Sequence, residues 1–237
     1  MKYFPPAFLL AAVNYGSTTS KLRGIDMKTN IILLAVLIFT GAVSSVSAFD
    51  QKDLEKLLAT GHCFKCDLKG IDLRGKLHVP ENSEEIDIVK SDLTNANLHG
   101  LSMPGIKAWE TILTNTDLSE TDLQHAHFYR ANLSGANLSG ANLKRIYAIE
   151  ADLSGADLTG ANLNRAKLKN ANLTGANLSG ANLTKAFMEG ANLQDANLEG
   201  AIFDQAELWN ANLQGANKEK ADMSKAIFNK VLHLDNE

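Results

Sequence analysis

Ala131-Asn132-Leu133-Ser134-Gly135 is followed by Ala136-Asn137-Leu138-Ser139-Gly140, and variants of the same five letters run on past Ala171-Asn172-Leu173-Thr174-Gly175. A strict period of five matches neither the helical period of 3.6 nor the strand period of 2, so the chain is read first as a repeat architecture. Counted with Leu133 as a centre, the frame holds from Ile86 to Lys230, which is 145 residues or 29 pentapeptides.

Working outward, two earlier pentapeptides, Cys66–Gly70 and Ile71–Gly75, share this phase. Between them and Ile86 lie the ten residues 76–85, two repeat lengths, with Pro80, Glu81, Glu84 and Glu85. That stretch reads as a surface loop or as two eroded repeats. Upstream, Asp50 is placed to cap a short helix in which Leu54, Leu57 and Leu58 recur at helical spacing, and Gly61 is placed to end it. Such a helix covers the otherwise open end of a repeat stack. The expected organisation is therefore a helical cap at 49–65, a repeat array at 66–230 and a short tail at 231–237.

The 237-residue chain carries a second signal at its N-terminus. From Met27, Lys28 is a basic n-region, Ile31–Phe39 an apolar run and Val46-Ser47-Ala48 a small-residue cleavage site, the pattern of a signal peptide at 27–48. The run is too short for a spanning helix, so no stable membrane anchor is expected after cleavage. Residues 1–26 precede a segment complete in itself and read as an over-extended start. Setting aside Lys2, Lys21, Arg23, Lys28 and Asp26 takes the 23 basic and 27 acidic residues to 19 and 26, a formal charge of −7. That balance argues against nucleic acid or an anionic membrane as partner. The expected location is outside the cytoplasm: periplasmic, secreted, or in a thylakoid lumen.

Cys63 and Cys66, the only cysteines, fall in the exported part, where a close pair reads as a structural disulfide. Asp67 follows Cys66, so the haem-attachment pattern is missing. His62 beside the pair permits a zinc reading, for which a fourth ligand is not evident.

The repeat resembles the pentapeptide-repeat family, whose consensus is A(D/N)LXX. That resemblance implies an all-β, right-handed quadrilateral β-helix with four pentapeptides per coil. In that fold the centre and the residue two before it point inward, and the other three face out. Coils about 4.8 Å apart, the spacing of β ladders, make the 29 repeats a rod of roughly 35 Å. The best-understood members of the family look like duplex DNA in size and charge and bind topoisomerases.

Four repeats per coil has support in this sequence alone. Centres twenty apart form one unbroken set, Leu93, Leu113, Leu133, Leu153, Leu173, Leu193 and Leu213, a core ladder. Another set is Ile88, Ala108, Phe128, Ala148, Leu168, Met188, Leu208 and Phe228, mostly not leucine. There Ile106 precedes Ala108 and Ile146 precedes Ala148, exchanging large and small at nearly constant volume. The Asn ladder Asn132, Asn137, Asn142, with Asp152 and Asp157 at equivalent sites, reads as structural, a short polar side chain bonding nearby backbone.

Outward residues of the Phe128 set also depart from the consensus. Val89, Trp109, Tyr129 and Ile149 follow its centres on four successive coils, and Trp209 lies further along. Glu110, Arg130 and Glu150 alternate in sign beside them, and His127, Tyr147, Lys167 and Phe187 hold the third outward site. Val89, Trp109, Tyr129, Arg130, Tyr147, Ile149 and Trp209 are thus the candidate interaction wall, since aromatic and Arg residues dominate protein interfaces.

No catalytic constellation stands out: no G-x-S-x-G elbow occurs, and the glycines recur every five residues for turns. His125 and His127 face one corner but offer only two ligands, both read as solvated. A tube filled with Leu and Ala has no interior for a substrate. The reading is a non-enzymatic exported module, without cofactor or metal, that presents β walls to a protein partner or to a second copy as a homodimer. The alternative is a DNA-mimicking topoisomerase binder, as the resemblance implies. The signal peptide and the lysines along the rod count against it.

Overall fold

The computed structural model describes residues 49–76 and 86–228. The chain divides into two compact units, Met1–Gly41 and Ala42–Glu237, and every described residue lies in the second. The expected signal peptide at 27–48, residues 1–26, most of the break at 76–85 and the tail at 231–237 lie outside the described residues.

Helix α1 spans Gln51–Thr60. The Asp50 carboxylate accepts the Lys52 N–H at 2.8 Å, satisfying one of the donors a helix start leaves open. Gly61 ends the helix in the left-handed region, φ 73°, its N–H bonded to the Leu57 carbonyl. Leu57 is buried and Leu54 packs against the core. Two bonds of 2.9 Å, from the Asp50 N–H to the Asp67 carbonyl and from the Asp67 N–H to the Asp53 carboxylate, tie the cap to the first coil.

The repeat is easiest to follow through one unit, Ala151–Gly155, its positions lettered a to e with the centre at c. Each of its five amide N–H groups has an acceptor. Ala151 donates to Ala148 across the corner, Asp152 back to Ala131 on the preceding coil, and Leu153 and Gly155 forward to Asn172 and Thr174 on the next. The remaining donor, Ser154 at d, is reached by no carbonyl; the Asp152 side chain accepts it at 3.0 Å. The same bond recurs from Ser134 to Asn132 and from Ser139 to Asn137. A short carboxamide or carboxylate at b is therefore what completes the backbone of each side. Position e takes positive φ in every described repeat as far as Lys220, as Gly155 does at 62°.

Parallel bridges join Asn132 to Asp152 and Asp152 to Asn172, and the twenty-residue register holds from Asp87 to Ile227. Four sides therefore close one coil, giving walls named here by their centres Phe128, Leu133, Leu138 and Leu143. Every member of the core ladder from Leu93 to Leu213 is no more than 2% exposed. Alanines at a are equally buried as far as Ala211, and Ala216, Ala221 and Ala226 at the C-terminal end are partly buried. Phe128, Ile146 and Ala148 pack with neighbouring leucines around a void of only about 10 Å³, too small and too apolar to hold a ligand. Thr111, Thr116 and Thr121 replace alanine on three sides of one coil, and each buried hydroxyl donates to a backbone carbonyl at 2.6–2.8 Å.

The first coil keeps a different register. His62 pairs with Asp87, Asp67 with Asp92 and Asp72 with Asn97, an offset of 25. The break thus carries five residues more than a regular side, and the walls stay aligned across it. Two regular repeats there would have turned every later wall by a quarter. Pairing begins at His62, so Cys63 occupies a centre above Ile88 and Cys66 an a position above Ser91.

Two consequences can be measured. Leu153→Ala leaves a hole in a filled tube and is expected to cost about 2–5 kcal/mol. Gly155→Ala meets no atom within 4 Å, so only its φ of 62° matters and the cost is about 1 kcal/mol. Denaturant titration of both variants checks the ratio.

Acid should also weaken the fold near the first coil. Arg74 bonds the Asp72 carboxylate through Nε at 3.0 Å and Nη2 at 2.7 Å and holds its pKa at about 2, from an ordinary 3.8. The pair is present above the unfolded value and is lost as pH falls from about 4 through about 2. Asp72 is 43% exposed, so the contribution is under about 1 kcal/mol. Melting temperatures taken across that window should fall less in Asp72→Asn than in the wild type.

Candidate interaction surface

On three walls, position b is almost everywhere Asn or Asp. On the Phe128 wall the b column beyond Asp87 runs Lys107, His127, Tyr147, Lys167, Phe187, Glu207 and Ile227. None of these was used to accept the d amide. Aromatic and cationic contacts hold the column together instead. The Trp109 ring meets the edge of His127 at 6.1 Å and 65°, and His127 lies flat on Tyr147 at 4.7 Å and 2°. The Lys167 ammonium covers Tyr147, 4.3 Å from its centroid. Stacking every twenty residues makes these contacts automatic, because equivalent side chains sit one ladder spacing apart.

Loss of the b acceptor leaves a mark on the backbone. Among the described residues the amide N–H groups of Trp109, Tyr129, Ile149, Lys169, Glu189 and Trp209 have no protein acceptor, whereas that of Val89 bonds Asp87 at 3.0 Å. On the other walls most of the same donors meet the outward Asn or Asp at b, those of Thr114, Lys144 and Asp204 being the exceptions, so here a whole column of them opens onto the outer face.

The structure brings Val89, Trp109, Tyr129 and Ile149 into one column on successive coils. Trp109 is 43% exposed, and Val89, Tyr129 and Ile149 are half-buried. Tyr147 is half-buried in the adjacent column, and His127, read as solvated from sequence, is half-buried too because it is sandwiched between rings. Trp209 is exposed on the same wall but stands apart from the column, beyond the Lys169–Glu189 pair. The offset of 25 adds Phe64, 52% exposed, directly above Val89. Sequence reasoning missed Phe64 because the constant twenty-residue count stops at the break.

Arg130 is exposed, its guanidinium 2.7 Å from Glu150 and 4.8 Å from the Tyr129 ring centroid. The Glu150 carboxylate raises the Arg130 pKa. With Lys90–Glu110 at 3.3 Å and Lys169–Glu189 at 2.8 Å, the charges along this edge are largely paired with one another. Exposed pairs of this kind are screened by solvent and serve to order side chains more than to stabilise the fold.

Cys63 and Cys66 are buried under α1, Cα atoms 5.5 Å apart, within the span of a bridge. Asp53 brings a carboxylate to the same place, but that group already accepts the Asp67 N–H. No described helix is long and apolar enough to cross a membrane.

Comparison with known proteins bears on the repeat. The pentapeptide-repeat family model matches residues 111–147, 151–190 and 191–229, in eight copies. The chain is 26% identical to HetL, a pentapeptide repeat protein involved in heterocyst differentiation regulation from the cyanobacterium Nostoc, over 75% of this chain and 96% of that one, with a TM-score of 0.38. It is 34% identical to a pentapeptide repeat protein of the Arabidopsis thaliana thylakoid lumen, over 42% of this chain and 69% of that one, TM-score 0.41. QnrB1, a plasmid-mediated fluoroquinolone resistance protein, is 17% identical over 69% of this chain and 91% of that one, TM-score 0.34. No curated protein matches. One unbroken five-letter frame, coils of twenty residues and the match across 111–229 lead to one assignment: the chain belongs to the pentapeptide-repeat family.

Proposed function

We propose that this protein is a non-enzymatic, exported interaction module whose Phe128 wall docks a protein partner. The reading rests on one observation, the column Phe64, Val89, Trp109, Tyr129 and Ile149, outward on five successive coils of a wall whose neighbours present mostly Ser, Thr, Gln, Asn or Lys. Interface energy concentrates in Trp, Tyr and Arg packed centrally. This wall supplies all three at Trp109, Tyr129 and Arg130, with Tyr147 beside them and Trp209 as an outlying contact. A filled core keeps the column rigid, so little ordering entropy is lost on docking.

Export follows from the segment at 27–48, with residues 1–26 outside the working protein, the cap at 49–65, the array at 66–230 and the tail at 231–237. A Cys63–Cys66 disulfide suits that compartment and staples a corner of the first coil.

Trp109→Ser combined with Tyr129→Ser should abolish capture of the partner from the exported fraction while circular dichroism and melting temperature stay near wild type. Capture that survives the double substitution overturns the interface. Fractionation of cells tests the address independently. The chain is expected outside the cytoplasm, beginning at Phe49, with both cysteines unreactive to alkylation until reduced.

A further inference from the structure

The corner where the Leu143 wall meets the Phe128 wall carries Arg145, Arg165 and Lys185 at position e of three successive coils. All three hold positive φ, 57–58°. In the same coils the e residues of the Leu133 and Leu138 walls are Gly135, Gly155, Gly175 and Gly140, Gly160, Gly180, the residue this conformation favours. Basic side chains at this corner therefore carry a backbone cost, and stacking like on like adds repulsion. Neither is offset by pairing: none of the three, nor the adjacent Lys144, lies in an ion pair with a described carboxylate. The contrast is with the next corner, where Arg130 and Glu150 alternate in sign and pair. The left-handed backbone is shared by non-glycine e residues at other corners, Arg130 and Glu150 among them, so what sets this corner apart is like charge stacked with no described carboxylate to pair it.

Arg165, Lys185 and Phe187 line a shallow groove there, which continues past Gln205 and Glu207 to Ile227. Across the b column lie the open amide donors of Ile149, Lys169 and Glu189. The geometry points to an acidic, extended polypeptide segment as the occupant of this corner, its carboxylates meeting Arg145, Arg165, Lys167 and Lys185 and its oxygens taking the acceptor role that Asn or Asp plays on the other walls. This rests on the reading of the Phe128 wall as a partner surface and adds the partner's chemistry. Single-stranded nucleic acid fits less well, because it stacks on successive free aromatic faces and of the rings at this corner only Phe187 is exposed. Here one face of Tyr147 lies on His127 and the ring is covered by Lys167. A duplex or an anionic membrane would also face the acidic walls, with Asp117, Asp157 and Glu199 outward, in a chain of net charge −4.

Fluorescence anisotropy of a labelled oligoglutamate peptide with the full chain tests this. Binding should weaken steeply with added salt and fall at least tenfold in Arg145→Gly/Arg165→Gly/Lys185→Gly, a variant that melts no lower than wild type because it relieves the corner. Trp109→Ser/Tyr129→Ser should keep the salt-dependent component, so the two readings fail separately. The inference is overturned if the triple variant binds the peptide as wild type does, if wild type shows no salt-dependent binding, or if single-stranded oligonucleotide, polyuronate or phosphatidylserine vesicles bind more tightly than the peptide.

Discussion

A single short hydrogen bond, from the amide at d to the side chain at b, lets this chain repeat. Four of the five N–H groups in a repeat find carbonyls on their own or a neighbouring coil; the fifth finds only Asp152, Asn132 or their equivalents. Each such bond is worth about 1 kcal/mol net, yet an unmet donor at every corner would add up along the stack. Asn also reaches the coil before it: the Asn172 amide donates to Asp152 at 3.0 Å and that of Asn212 to Asn192 at 3.0 Å. The polar letter of the repeat is thus as much a structural necessity as its leucine.

Where that bond is given up, something else must hold the wall. On the Phe128 face rings and cations stack in place of carboxamides, and the d amides turn to solvent. The core beneath changes with it. Ile106 over Ala108 and Ile146 over Ala148 swap bulk between the two inward sites, while Phe128 pairs with Ala126, all of them buried. Inside and outside of one wall thus depart from the repeat together. Three walls serve as scaffold and the fourth is free to specialise.

Much of this was legible in the sequence. Leucine spacing alone defined the core ladder, and Asp50 and Gly61 bracketed α1 because capping depends on local chemistry. The column Val89, Trp109, Tyr129, Ile149 emerged from counting in twenties. Phe64 did not, since a count cannot see that a ten-residue stretch closes one side and not two. The half-buried state of His127 was hidden as well, because it depends on ring orientation. The Arg145, Arg165, Lys185 ladder was visible as letters, but its meaning needed the φ angles and the absence of ion pairs among the described residues.

The twenty-five-residue first coil bears on how such a molecule changes over time. An added unit threaded into the spiral would swing every later face round by ninety degrees and scatter the aromatic column over two sides. An offset of twenty-five between the first two coils instead leaves Phe64 over Val89 and the faces in phase. Growth of the gene by one unit therefore has two unequal outcomes, faces kept in phase or faces rotated, and only the first preserves a column built up over several coils.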